Sequence, residues 1–205
     1  MAEALRLVIY DATQRTRPPR ALGYSWQYGT HFYRALGRID AAFGADSFAG
    51  AFASIIAHQP DRPIAELQFW GHGKWGCVFI DREPLGRDLL HANHRHYAAF
   101  KAVRERLTEN ALLWFRSCET LGARTGQDFA AALSDATGAR VAGHTFVIGF
   151  YQSGLHCLRP GFAPHWSDTE GLARGSAFEP ELALNSSPNA PNTITCLSGR
   201  IPEGY

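Results

Sequence analysis

Short apolar runs alternate with helix-like stretches along most of this chain, and that alternation restricts the fold to a small set. The runs at residues 5–10, 64–70, 111–115 and 140–143 are strand-like. Segments with helical spacing lie between them. Parallel strands need crossovers of a dozen or more residues, usually helical, so this order predicts an α/β fold with a mostly parallel central sheet. Such a sheet must be covered by helices on both faces.

The helical segments carry their own signals. Phe48, Phe52, Ile55 and Ile56 fall on one helical face, and Asp46 or Ser47 is placed to cap that helix. Pro60 and Pro63 end it before the strand at Ile64. Further helices are expected over 32–43, 94–107 and 126–137, the last closed by Gly138. Residues 77–80 read as a short strand or hairpin. Residues 13–28, rich in Arg, Pro and aromatics, read as a loop. From residue 160 onward the chain holds six of its eleven prolines and reads as an irregular tail, with one strand at 193–197. The expected organisation is a single domain over residues 1–205, with 160–205 packed on it as that tail.

Lys plus Arg number 20 and Asp plus Glu 19, a net charge of +1. That balance supplies no field to attract nucleic acid or an anionic membrane, so neither is expected as a partner. The N-terminal residues lack a secretory pattern, and no apolar run approaches the ~18 residues of a spanning helix. Cys77, Cys118, Cys157 and Cys196 are widely spaced and form no CxxC pair, which argues against a zinc ribbon. A cytoplasmic protein is expected, or one exported without a classical signal peptide.

Two strand ends carry chemistry. The run at 64–70 ends in Gly71-His72-Gly73, and the run at 111–115 ends in Arg116-Ser117-Cys118. Neighbouring parallel strands present such residues at one edge of the sheet, where α/β folds place their sites. A thiol attacks as thiolate, and an adjacent imidazole can take its proton and later return it to a leaving group. His72 and Cys118 are therefore the candidate catalytic pair. The amides of Gly73 and Cys118 are candidate oxyanion donors.

At these residues the chain resembles the caspase-like cysteine peptidases, a fold shared by caspases, metacaspases, gingipains, legumain, separase and CHAT domains. In that fold a His-Gly follows one central strand and the nucleophilic Cys follows the next. Here His72-Gly73 precedes Cys118 by 46 positions, close to the ~50 of caspases. The segment 126–142, Gly-Gln-Asp-Phe through Thr-Gly-Ala-Arg-Val-Ala, is similar to uncharacterised bacterial members. The resemblance covers about residues 5–150. It implies a caspase-like three-layer sandwich, an endopeptidase acting on a peptide or protein substrate, and no cofactor. Arg116 departs from the acidic residue that metacaspases and legumain carry two positions before the Cys. A guanidinium there suits an acidic P1 side chain, or it pairs internally with Glu119 or Asp11.

Other groups admit two readings. Asp11, at a strand end, touches the cleft or caps the following turn. His144 lines the substrate cleft or is structural. The aromatics Tyr24, Trp26, Tyr28, Phe32 and Tyr33 pack internally or form a peptide-binding wall. His91, His94 and His96 read as a solvated helix entrance, and no metal is expected. A non-catalytic interaction module and a thiol acyltransferase are the alternatives to a peptidase. Oligomeric state has no sequence signature here.

Overall fold

The computed structural model describes residues 3–13 and 22–204. In chain order these form β1 (Leu5–Asp11), α1 (Leu22–Ala35), β2 (Ala41–Ala45), α2 (Phe48–Ala57), β3 (Ile64–Trp70), β4 (His72–Lys74), β5 (Cys77–Ile80) and β6 (Glu83–Gly86). A 3-10 turn at Arg87–Leu90 leads into α3 (Tyr97–Arg104), β7 (Leu107–Arg116), α4 (Ala123–Thr137) and β8 (Arg140–His144). Then come β9 (Tyr151–Gln152), β10 (Leu155–Leu158), β11 (Leu172–Gly175), β12 (Pro180–Ala183) and β13 (Ile194–Thr195).

The main sheet has the order β10-β8-β7-β3-β1-β2. All its pairs are parallel except β10 with β8 at the edge. The fold is therefore α/β with a mixed, mostly parallel sheet.

Side-chain alternation sends successive strand residues to opposite faces. Leu7, Ile9, Phe69 and Leu113 join Phe48, Phe52 and Ile55 of α2, Phe100 of α3 and Phe129 of α4 in the larger core. Val8, Tyr10 and Trp70 face the other way and meet Tyr33 of α1. Leu112, Trp114 and Ala142 on that second face meet Leu155 and Ile194. So α2, α3 and α4 cover one face, while α1 and the segment around β13 cover the other.

Local chemistry accounts for the best-defined boundaries. Ser47 is extended (φ −158°), and its hydroxyl accepts the Gly50 amide at 3.2 Å, which caps α2. Gly138 adopts φ +70° and stops α4 with a left-handed turn.

Several boundaries differ from the sequence reading. Of the loop expected over 13–28, residues 14–21 lie outside the described residues and 22–28 are helical. This helix contains Gly23 and Gly29 and several aromatics, all weak helix formers, so tertiary packing decides it. At Gly29 a β-carbon would stand 2.9 Å from the Trp70 ring, so the glycine lets α1 settle onto the sheet. The helix expected to Phe43 ends at Ala35, and Phe43 lies in β2. The helix expected over 94–107 is shorter, because Leu107 already opens β7. The tail is not uniformly irregular: β11 and β12 form a hairpin, and β13 pairs with β9. Among the described residues no helix is long and apolar enough to cross a membrane.

Candidate active site

The site is built by register. Strands β3 and β7 pair in parallel, with Trp70 opposite Arg116 at their last step. His72 and Cys118 each follow two residues later, so both leave the same sheet edge at the same level. Both line one open cleft of about 460 Å³. A ligand cleft is typically ~300–1,000 Å³ and mostly apolar with a few polar groups.

The two loops are pressed together. His72 opens β4, which pairs with β5 and then β6 as a three-stranded antiparallel sheet. Gly73 lies against the Cys118 loop so closely that a β-carbon there would stand 2.5 Å from the Cys118 carbonyl and overlap Thr120 Oγ1. The space that a side chain at residue 73 would take is filled by the Cys118 loop itself. The Gly76 amide donates to the Thr120 carbonyl at 2.9 Å. Lys74 Nζ pairs with Glu119 at 3.2 Å, with the carboxylate largely buried. Lys74 also lies 4.0 Å from the centre of the Trp75 ring. Glu119 and Ala123 take left-handed backbone angles (φ +45° and +58°), so the turn from Cys118 into α4 is strained.

Cys118 is half-buried, and its sulfur lies 3.8 Å from the Ile148 carbonyl. Burial pushes its thiol above the ordinary range, and the Glu119 carboxylate pushes the same way. The resting group is thus a thiol, and a base must deprotonate it. No hydrogen bond joins it to His72 here; unliganded catalytic pairs often tighten only with substrate. The His72 ring meets Trp26 of α1 edge-on, 5.7 Å between centres. The Cys118 amide donates to no backbone carbonyl among the described residues and faces its own sulfur.

Arg116 is only 4% exposed, but the internal pairing with Glu119 or Asp11 expected from the sequence is not what it makes; Glu119 pairs with Lys74 instead. Gln152 Oε1 accepts from Nε at 3.1 Å and from Nη2 at 2.8 Å. Nη1 donates to the Tyr33 hydroxyl at 2.5 Å and to the Ser198 carbonyl at 3.1 Å. Nη2 also reaches the carbonyls of Cys196 at 3.2 Å and Thr195 at 3.4 Å. The guanidinium lies 4.6 Å from the centre of the Trp114 ring. It lines the cleft but spends its donors on holding residues 195–198 against the sheet.

Asp11 and His144 do not reach the cleft. Asp11 is fully buried, and one carboxylate oxygen accepts from Thr13 N at 2.8 Å and Thr13 Oγ1 at 2.6 Å, the turn-capping role. His144 is also fully buried, because β10 and the segment behind it close over the end of β8. Its Nδ1–H donates to the Ser153 carbonyl at 3.1 Å.

Burial, with the charge of Arg116, lowers the His144 pKa from 6.5 to about 3. The folded protein therefore holds this ring neutral while the unfolded chain protonates it. The stability this contributes is complete above pH 6.5 and is lost as pH falls toward 3. From pH 6.5 to 4.5 the loss from this group alone is roughly 2 kcal/mol, just under 1.36 kcal/mol per unit. His144→Asn, which keeps a donor for Ser153, should flatten the acid limb of melting temperature against pH; an unchanged limb would remove His144 as its cause.

His94 and His96 each lie against a carboxylate. His96 is buried and meets Glu83 at 2.6 Å, with Arg95 on the same carboxylate, while His94 lies 3.5 Å from Asp88. The expected solvated entrance therefore holds for neither His94 nor His96. Among the described residues no three His, Cys, Asp or Glu side chains are grouped to hold a metal ion.

Residues 45–155, more than half of the chain, match the family described as a domain of unknown function, DUF4347. The chain belongs to this family. The DUF4347 span contains both His72 and Cys118 and the strands that align them. It excludes α1 and residues 196 and 197, which supply two walls of the cleft. No curated protein matches the chain.

Sequence reasoning offered the α1 wall only as an alternative to packing and missed the others. Trp26, Ile148, Phe150, Cys196 and Leu197 all line the cleft. Only the aromatic cluster that includes Trp26 carried a signal, and that signal fitted packing equally well.

Proposed function

We propose that this DUF4347 chain is a cysteine endopeptidase of the caspase-like fold, with Cys118 as nucleophile and His72 as general base and acid. The observation that carries this is the Trp70–Arg116 register, which sends both groups into one cleft. The hairpin that follows His72 directly supports the same reading.

His72 takes the proton from Cys118 Sγ as the sulfur attacks the scissile carbonyl carbon. The oxygen takes up the electron pair, facing the Cys118 and Gly73 amides, the two donors implied by the resemblance. Collapse breaks the C–N bond, and His72 hands its proton to the departing amine. Water, deprotonated by His72, then cleaves the thioester and returns the thiol.

Iodoacetamide tests this. Four cysteines are free and all are half-buried, so exposure alone does not single one out. Cys118 is expected to react at least about tenfold faster than the other three, and His72→Ala to abolish that advantage. Even labelling of all four, or a rate indifferent to His72→Ala, would instead favour a non-catalytic binding module. The raised thiol pKa and the unbridged Cys118 and His72 are what that second reading has in its favour.

A further inference from the structure

Resting on the peptidase reading, we infer that the cleft takes a peptide whose residue at the attacked carbonyl is large and apolar, aromatic or leucine-like, rather than acidic or basic. The first ground is the state of Arg116. All five of its N–H donors already have acceptors, and those acceptors are internal to the chain. A substrate carboxylate would have to displace Gln152 or the carbonyls of residues 196 and 198 to gain the bidentate contact that makes guanidinium selective for acids.

The second ground is charge. Among the described residues, His72 and Arg116 are the only titratable bases lining the cleft, and no Asp or Glu side chain lines it. A lysine or arginine side chain would enter beside a buried cation with nothing to neutralise it.

The third ground is the wall. Trp26 and Phe32 from α1, Ile148 and Phe150 from the loop after β8, and Leu197 from the tail line the same cleft as the thiol and imidazole. Phe32, Phe150 and Leu197 are 46%, 56% and 49% exposed, so this apolar rim faces solvent at the mouth of the cleft. Such a rim gains by covering an apolar side chain and offers a charged one no partner.

The test uses the whole chain and three tripeptidyl chloromethyl ketones differing only in the residue next to the reactive carbon: Phe, Asp or Arg. Labelling of Cys118 is followed by intact mass, each rate divided by the iodoacetamide rate of the same sample. The Phe reagent is expected to exceed both others by about tenfold or more, the range of discrimination an apolar pocket provides. Phe32→Ala and Phe150→Ala, both truncating exposed side chains, should each erode that ratio. An Asp or Arg reagent equal to or faster than Phe overturns the substrate class and leaves the peptidase reading standing. Failure of all three where iodoacetamide still singles out Cys118 overturns the peptidase reading and the substrate class with it.

Discussion

Arg116→Met is expected to cost about 4 kcal/mol of folding stability. The substitution keeps much of the side chain's length and apolar stem but removes every donor. Gln152, the Tyr33 hydroxyl and the carbonyls of Thr195, Cys196 and Ser198 would lose the cation that gathers them. A hydrogen bond to a charged group contributes ~1.5–3 kcal/mol, and buried acceptors left bare add a desolvation cost. Relief of burying the charge itself offsets part of this, since burial already pulls the Arg116 pKa down. Urea unfolding with an unchanged slope would report the loss. Limited proteolysis should also cut near residues 194–199 in the variant and not in the parent. Arg116→Lys, with a charge but only three donors, should fall between. A variant as stable as the parent, with that segment still protected, would refute the hub role of Arg116.

Gly73→Ala is expected to separate the two candidate catalytic loops. The new methyl would overlap Thr120 Oγ1 and press on the Cys118 main chain. Neither yields easily. Thr120 Oγ1 is 2.6 Å from Ser117 Oγ, and the Glu119 amide is tied to the Phe146 carbonyl at 2.9 Å. Overpacking of this kind costs ~1–3 kcal/mol. The larger effect should fall on reactivity, because a displacement of about 1 Å between reacting groups can cost ~100-fold. The His72-dependent part of Cys118 alkylation is the readout, with circular dichroism checking that the variant is folded. A Gly73→Ala protein with the parent's alkylation rate would mean that the contact between these loops does not set the geometry of the pair.

What could be read from the sequence follows from how local each signal is. Strands β3 and β7 are dense apolar runs with polar stops, so they, and the level at which His72 and Cys118 emerge, were legible. Ser47 and Gly138 mark helix ends through their own chemistry and needed no context. β2 was not legible: Ala-Ala-Phe-Gly-Ala has little β-propensity and becomes a strand by lying beside β1. The helical state of residues 22–28 depends on Trp70 accepting Gly29 beneath it. The partners of Arg116 are tens of residues away along the chain, in α1, β9 and the tail, so its saturation had no sequence trace. Asp11 and His144 sit at strand ends, as the candidate pair does. Position alone could not tell an end that opens into a cleft from one that is roofed over.

The walls around the thiol come from opposite stretches of the polypeptide: Trp26 and Phe32 are made early, and Cys196 and Leu197 very late. During synthesis the sulfur is therefore in place long before its surroundings are. With only residues 1–160 clear of the ribosome, Cys118 would sit in a half-built trough, and Arg116 would lack its acceptors at residues 195, 196 and 198. The groove reaches its final form only after residue 198 has cleared the exit tunnel.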